Sequence, residues 1–192
     1  MRKSRWSRSN NHGPKRKRPD SRLVLELLED RCLLATNITQ YHVDSQSTGA
    51  NLTETQLTPS NVNAADFGQL YNTTLDGQVY AEPLVLTNVT IAAGPNTVGT
   101  PGTYNSVVFV ATQHDSLYAI NAANGDILWQ RAFLDTTNPN DALPGATSVS
   151  TIPSGDTNSG DINPEVGITS TPVIDPSTNI IYVLPNTKEM VG

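Results

Sequence analysis

The pattern of apolar and polar positions over Ser106–Phe133, SVVFVATQHDSLYAINAANGDILWQRAF, predicts three short strands joined by two tight turns. Val107–Ala111 is an apolar, β-branched run suited to a buried strand. Gln113–Asp115 supplies polar turn residues. In the second strand Leu117, Ala119 and Asn121 share one face, with Tyr118 and Ile120 on the other. Ala122–Gly125 closes the next hairpin, where Asn124-Gly125 can take the positive φ values of a tight turn. Ile127–Phe133 is the third strand, and Trp129 is its largest side chain. So small a meander needs further layers on its faces.

The same signals extend to both sides. Phe67–Leu75 and Gln78–Leu86 flank Asp76-Gly77, a hairpin signal, and Tyr80–Leu86 reads as a strand that tolerates Pro83 near its start. Thr90–Thr103 and Leu134–Asn163 are rich in Gly, Pro, Asn and Thr and read as two long loops, a length that often carries function. Gly167–Asp175 and Asn179–Leu184 predict two more strands. An internal repeat joins the halves. Glu82-Pro83-Leu84-Val85 corresponds to Thr171-Pro172-Val173-Ile174, and Val107–Val110 to Ile180–Val183, with the longer inner loop in the first copy.

Upstream, 36–66 is an extended lead-in rich in Thr, Asn and Ser, with a short helical turn expected from Thr58 or Ser60. Residues 1–35 differ in kind. Ten of the twelve Lys and Arg residues lie between Arg2 and Arg31, whereas the remainder holds Arg131 and Lys188 against fourteen Asp and Glu. A body this acidic repels phosphates, which argues against nucleic acid as a partner. Met1–Ser21 is expected to be disordered, and Arg22–Leu34 to form a short amphipathic helix. That helix carries Glu26, Glu29, Asp30 and Arg31, so it is not a transmembrane segment. The single cysteine, Cys32, lies in it and leaves the body without disulfide or thiolate chemistry.

Three resemblances sharpen this reading. Ala119-Ile120-Asn121-Ala122-Ala123-Asn124-Gly125-Asp126-Ile127-Leu128-Trp129 resembles the tryptophan-docking motif of the quinoprotein-like (PQQ-repeat) β-propellers. Ala119, Gly125 and Trp129 fit that pattern, while Asn121 and Asn124 replace its usual Asp and Thr. Val108–Ala111 and Asp115–Tyr118 resemble the run that precedes it, with Ser116 for Gly. This resemblance implies an all-β chain, a partial propeller of about one and a half four-stranded blades over 67–192, with Trp129 wedged between blades as a structural residue. Asp115-Ser116, Gly160–Thr169 and Thr171–Asp175 further resemble a bacterial group of secreted propellers related to quinoproteins, a likeness that extends from Thr48 to Glu189. Leu28-Glu29-Asp30-Arg31-Cys32-Leu33-Leu34 resembles the LEPRxLL sorting segment of planctomycete-type surface proteins, with Asp30 for Pro. Residues 1–35 are therefore expected to be a leader, the protein to be exported, and the chain to be the N-terminal piece of a longer one.

Few constellations carry chemistry. In the loop Asp156–Glu165, the oxygens of Asp156, Asn158, Asp161 and Glu165 are candidate calcium ligands, although Gly160-Asp161 reverses the usual order and a solvated turn with Asx capping is the commoner use of such a stretch. Glu82, Asp115 and Glu165 fall near strand ends, and His114 neighbours Asp115, which can orient it or raise its pKa. There is no nucleophile elbow and no phosphate loop. The expectation is an exported surface or scaffold protein that binds a protein or a polysaccharide. The alternatives are a PQQ-dependent dehydrogenase, for which the resemblance implies PQQ and calcium, and a sugar-binding propeller.

Overall fold

The computed structural model describes residues 36–192 except Thr53, Thr55, Gln56, Ala65, Asp66, Phe67 and Ser159. The leader, its predicted helix and Cys32 lie outside the described residues. Of the helical turn expected near Thr58, one turn is present, with the Asn61 and Val62 amides donating to the Thr58 carbonyl. The described chain is all-β, built of several antiparallel sheets, and closes no barrel or propeller ring among the described residues.

Four consecutive strands form the main sheet: β1 (Leu84–Ile91), β2 (Gly102–Ala111), β3 (Ser116–Asn121) and β4 (Ile127–Ala132), in the order β1-β2-β3-β4. Register places Leu84, Phe109, Ala119 and Trp129 in one row across it. Strand alternation then sorts the core. Val107, Ala111, Leu117 and Ala119 face one side, where they pack with Ile91, Leu128, Ala81 and Ile168. Val110, Tyr118 and Ile120 face the other, against Leu75 and Ile127. Both faces of the sheet are covered, so every residue of β3 except Asn121 is buried.

At the β3–β4 turn only Gly125 is left-handed, at φ 79°, and its amide donates to the Asn121 carbonyl at 2.9 Å. Asn124 does not share that conformation, because the loop is longer than a two-residue hairpin. Pairing then slips between Ala119↔Trp129 and Ile120↔Ile127. The bulge lets Leu128 and Trp129, adjacent in sequence, pack against the same cluster.

The hairpin expected at Asp76-Gly77 does not form. Residues 71–78 instead run across the sheet and bond to its turns. Tyr71 Oη donates to the Ala122 carbonyl, Thr73 Oγ1 to the Gly125 carbonyl, and Thr112 Oγ1 to Asp76 Oδ1. The Gln113 amide donates to the Gln78 carbonyl at 2.8 Å. The strand expected from Tyr80 starts at Leu84 and continues to Ile91, past the predicted loop start at Thr90.

The second expected loop, Leu134–Asn163, contains a strand. β5 (Ala146–Pro153) pairs with β6 (Glu165–Val166) and with β9 (Thr187–Val191), giving the order β6-β5-β9. A single 3₁₀ turn, Ser154–Asp156, follows β5. The hairpin of β7 (Val173–Asp175) and β8 (Ile180–Tyr182) matches the second half of the repeat, each copy's strand beginning just after its proline. The copies touch where the Glu82 amide donates to Thr171 Oγ1 at 3.0 Å.

The lead-in stitches the two together. Ile38 pairs with Val85 of β1, and the neighbouring Thr39 carbonyl accepts from the Ile174 amide of β7 at 2.7 Å.

Candidate functional site: a locked turn and an uncharged groove

The β2–β3 turn, Thr112–Asp115, is the most heavily bonded polar feature of the fold. Gln113 is buried and works as a brace. Its Nε2 donates to the Ile168 carbonyl, while its Oε1 accepts from the Gly167 amide at 2.9 Å and from Thr169 Oγ1 at 3.2 Å. The approach is so close that a Cβ on Gly167 would lie 2.3 Å from the Gln113 carbonyl oxygen, so only glycine fits. Asn186 closes the other side. Its Nδ2 donates to the Gly167 carbonyl at 2.6 Å and its amide to Asp115 Oδ1 at 3.2 Å.

Asp115 itself is fully buried in the left-handed region, at φ 49°. Its Oδ2 has no partner among the described residues, and neither has Ser116 Oγ. Burial pushes its carboxyl up to about 7, and nearby Glu165 adds to the rise. Beside it, His114 Nδ1 meets Glu165 Oε1 at 2.9 Å, and Glu165 Oε2 accepts from Thr151 Oγ1 at 2.6 Å. The hydrogen bond to Glu165 raises the His114 pKa above its usual range, partly offset by burial. Asp115, the neighbour to which the sequence pointed, raises it less than Glu165 or Asp76 does. Tyr118, below the turn, is pushed up to about 12 by burial and by Asp76, and its Oη accepts from Gln130 Nε2.

Glu165 and Gln113 line a cleft of about 350 Å³ with Leu75, Asp76, Gln78 and Pro164. The His114–Glu165 contact fastens the turn to β6. Of the three carboxylates expected near strand ends, Asp115 and Glu165 thus come together around His114. Glu82 does not; its Oε2 accepts from the His42 amide at 2.9 Å.

Of the four candidate calcium ligands, Glu165 and Asp156 are drawn to different partners. Glu165 is held by His114 and Thr151, and Asp156 Oδ2 pairs with Lys188 Nζ at 2.5 Å. Asn158 is an exposed left-handed turn residue, and the Asp161 backbone carbonyl accepts from Tyr80 Oη. Among the described residues no group of three or more His, Cys, Asp or Glu side chains is gathered to hold an ion. The implied quinone fares no better. It is a polycarboxylate that needs cationic neighbours, and the two cations of the body are both committed, Lys188 to Asp156 and Arg131 to the buried Asp141 at 2.5 Å. The described residues therefore do not fit that group.

Trp129 lies elsewhere. Half-buried, it packs against the clusters around Leu117 and around Val107, of which the first also receives Ile181 and Val183 from the second half of the repeat. It lines a groove of about 750 Å³ between the main sheet and the β7–β8 hairpin, with Phe109 and Ala119 from the sheet and Ile174 and Ile181 from the hairpin. Not one residue lining this groove carries a charge. Ala119 is the cross-strand partner of Trp129, and Gly125 makes the turn between their strands.

Gln113 was legible only as a polar turn residue, and the bracing roles of Gly167 and Asn186 were not foreseen. They act through main-chain contacts that no local pattern signals. No helix among the described residues is long and apolar enough to cross a membrane. Comparison with protein families, with characterised proteins and with solved structures finds no match for this chain.

Proposed function

We propose that the chain is a binding module of an exported surface or scaffold protein, built on quinoprotein-like propeller blades and delivered by its basic leader. The observation that supports this most directly is the groove beside Trp129: an open concavity whose walls come from strands, the rigid setting that recognition favours. The four-stranded meander and the repeat that reappears as β7–β8 are what neighbouring blades would supply. Two experiments test the reading. Protease shaving and antibody labelling of intact cells expressing the full-length protein are expected to reach it from outside; retention in the cytoplasm overturns it. Incubation with the quinone and calcium is expected to leave the quinone absorbance unchanged, and a tight stoichiometric complex would overturn the non-enzymatic reading in favour of a dehydrogenase.

A further inference from the structure

Within that binding reading, on which this inference rests, we infer that the groove beside Trp129 is a site for an uncharged saccharide. Three observations converge. The floor is aromatic and aliphatic, with Trp129, Phe109 and Ile181 offering flat apolar surface to the C–H faces of a sugar ring. Around it stand the amides of Asn88, Asn96 and Asn179, none of whose side chains has a hydrogen-bond partner among the described residues. An amide both donates and accepts, as a sugar hydroxyl does, so three uncommitted amides around an indole match a ring with apolar faces and hydroxyl edges. The third observation is charge. The lining has none, and the body around it carries fourteen acidic residues against two basic ones, which disfavours a uronic acid or sulfated chain.

Backbone geometry fixes the main-chain positions from which these side chains project. Asn88 and Asn179 are left-handed, at φ 55° and φ 57°, a conformation that asparagine tolerates better than most residues. Asn96 is anchored where its carbonyl accepts from the Gln130 amide at 2.9 Å.

The test uses the full chain with Trp6→Phe, which leaves Trp129 as the only indole. Neutral gluco-, manno-, xylo- and galacto-oligosaccharides are titrated while tryptophan emission and its quenching by acrylamide are read, with oligogalacturonate as the charged control. At least one neutral series is expected to shift the emission and shield the indole at millimolar concentration or below, and the control to do neither. Asn88→Gly with Asn179→Gly keeps the left-handed backbone and removes two amides, so binding should weaken about tenfold or more. No response to any neutral series overturns the inference, as does a response unchanged in the double variant. Concentration-dependent dimerisation that shields the indole without sugar also overturns it, by assigning the groove to a second copy. Cell-surface labelling is independent of all three outcomes, so loss of the saccharide site and loss of the export reading remain distinguishable.

Discussion

Asp115 should make this protein lose stability as pH rises from acid to neutral, the reverse of what paired carboxylates do. Its carboxyl is fully buried, accepts from the Asn186 amide through Oδ1 and leaves Oδ2 without a partner among the described residues. In the unfolded chain it ionises near 3.8; in the fold it keeps its proton to about 7. Between those values the folded state binds the extra proton, so stability falls with pH and levels off above the upper one. The interval, at about 1.4 kcal/mol per pH unit, comes to about 4 kcal/mol. His114 acts in the same direction. Its pKa is raised, so its contribution is present below its usual value and is lost as pH rises through the folded one. Asp44, Asp135 and Asp175 act oppositely, being lowered chiefly by side-chain hydrogen bonds to Thr48, Thr137 and Ser177, but their contribution is lost only on acidification through their depressed values. Urea unfolding between pH 4.5 and 8 reads the Asp115 fall together with that of His114, apart from the three lowered carboxylates, and the Asp115 variant separates the two. Asp115→Asn adds a pH-independent cost, because its amide nitrogen meets no partner, and it should flatten most of the slope. A wild-type curve that is flat or rising over that range, or a variant that keeps the full slope, would refute the account.

Further substitutions test the packing and the buried ion pair. Gly167→Ala should cost about 3 kcal/mol by driving a methyl into the Gln113 main chain and dislodging its brace, read as a lower urea midpoint. Gly155→Ala, where a Cβ meets nothing within 4 Å, should stay within about 0.5 kcal/mol of wild type. Arg131→Ala should cost about 3 kcal/mol or more at pH 7, because it strands the buried Asp141 carboxylate, and adding Asp141→Asn should recover much of that in calorimetric melts.

The meander was legible because its signals are local. Val107–Val110 is β-branched, and Gly125 marks the turn after β3. β5 was missed for the opposite reason: Ala-Thr-Ser-Val-Ser-Thr-Ile-Pro offers little apolar contrast, and it becomes a strand by pairing with residues of β9 some forty positions on. Asp76-Gly77 carried a true turn signal, yet the flanking segments found better partners in the sheet's own turns than in each other. The site behaved likewise. His114 was visible as a titratable turn residue, but Glu165, 51 positions away, is brought to it only by the fold. Trp129 was visible as the bulkiest side chain of its strand. The groove beside it needed the hairpin as its other wall.

How a partner would engage this protein follows from the edges of its main sheet. A sheet with a free edge invites an added strand, and strand addition is a common mode of peptide capture. Here each edge is partly occupied. Ile38 pairs with Val85 along β1, and Asn37 Oδ1 accepts from both the amide and the hydroxyl of Thr87. At the far edge the β1–β2 loop reaches across to β4, where the Val98 and Gly99 amides donate to the Leu128 carbonyl and the Asn96 carbonyl accepts from Gln130. The loop that the sequence marked as unusually long thus closes an edge and, through Asn96, forms one rim of the groove. With both faces of the main sheet covered over β3, a partner is left with its loops and with the concavity beside Trp129. Recognition through side chains in that groove, rather than through backbone pairing, is the mode this arrangement favours.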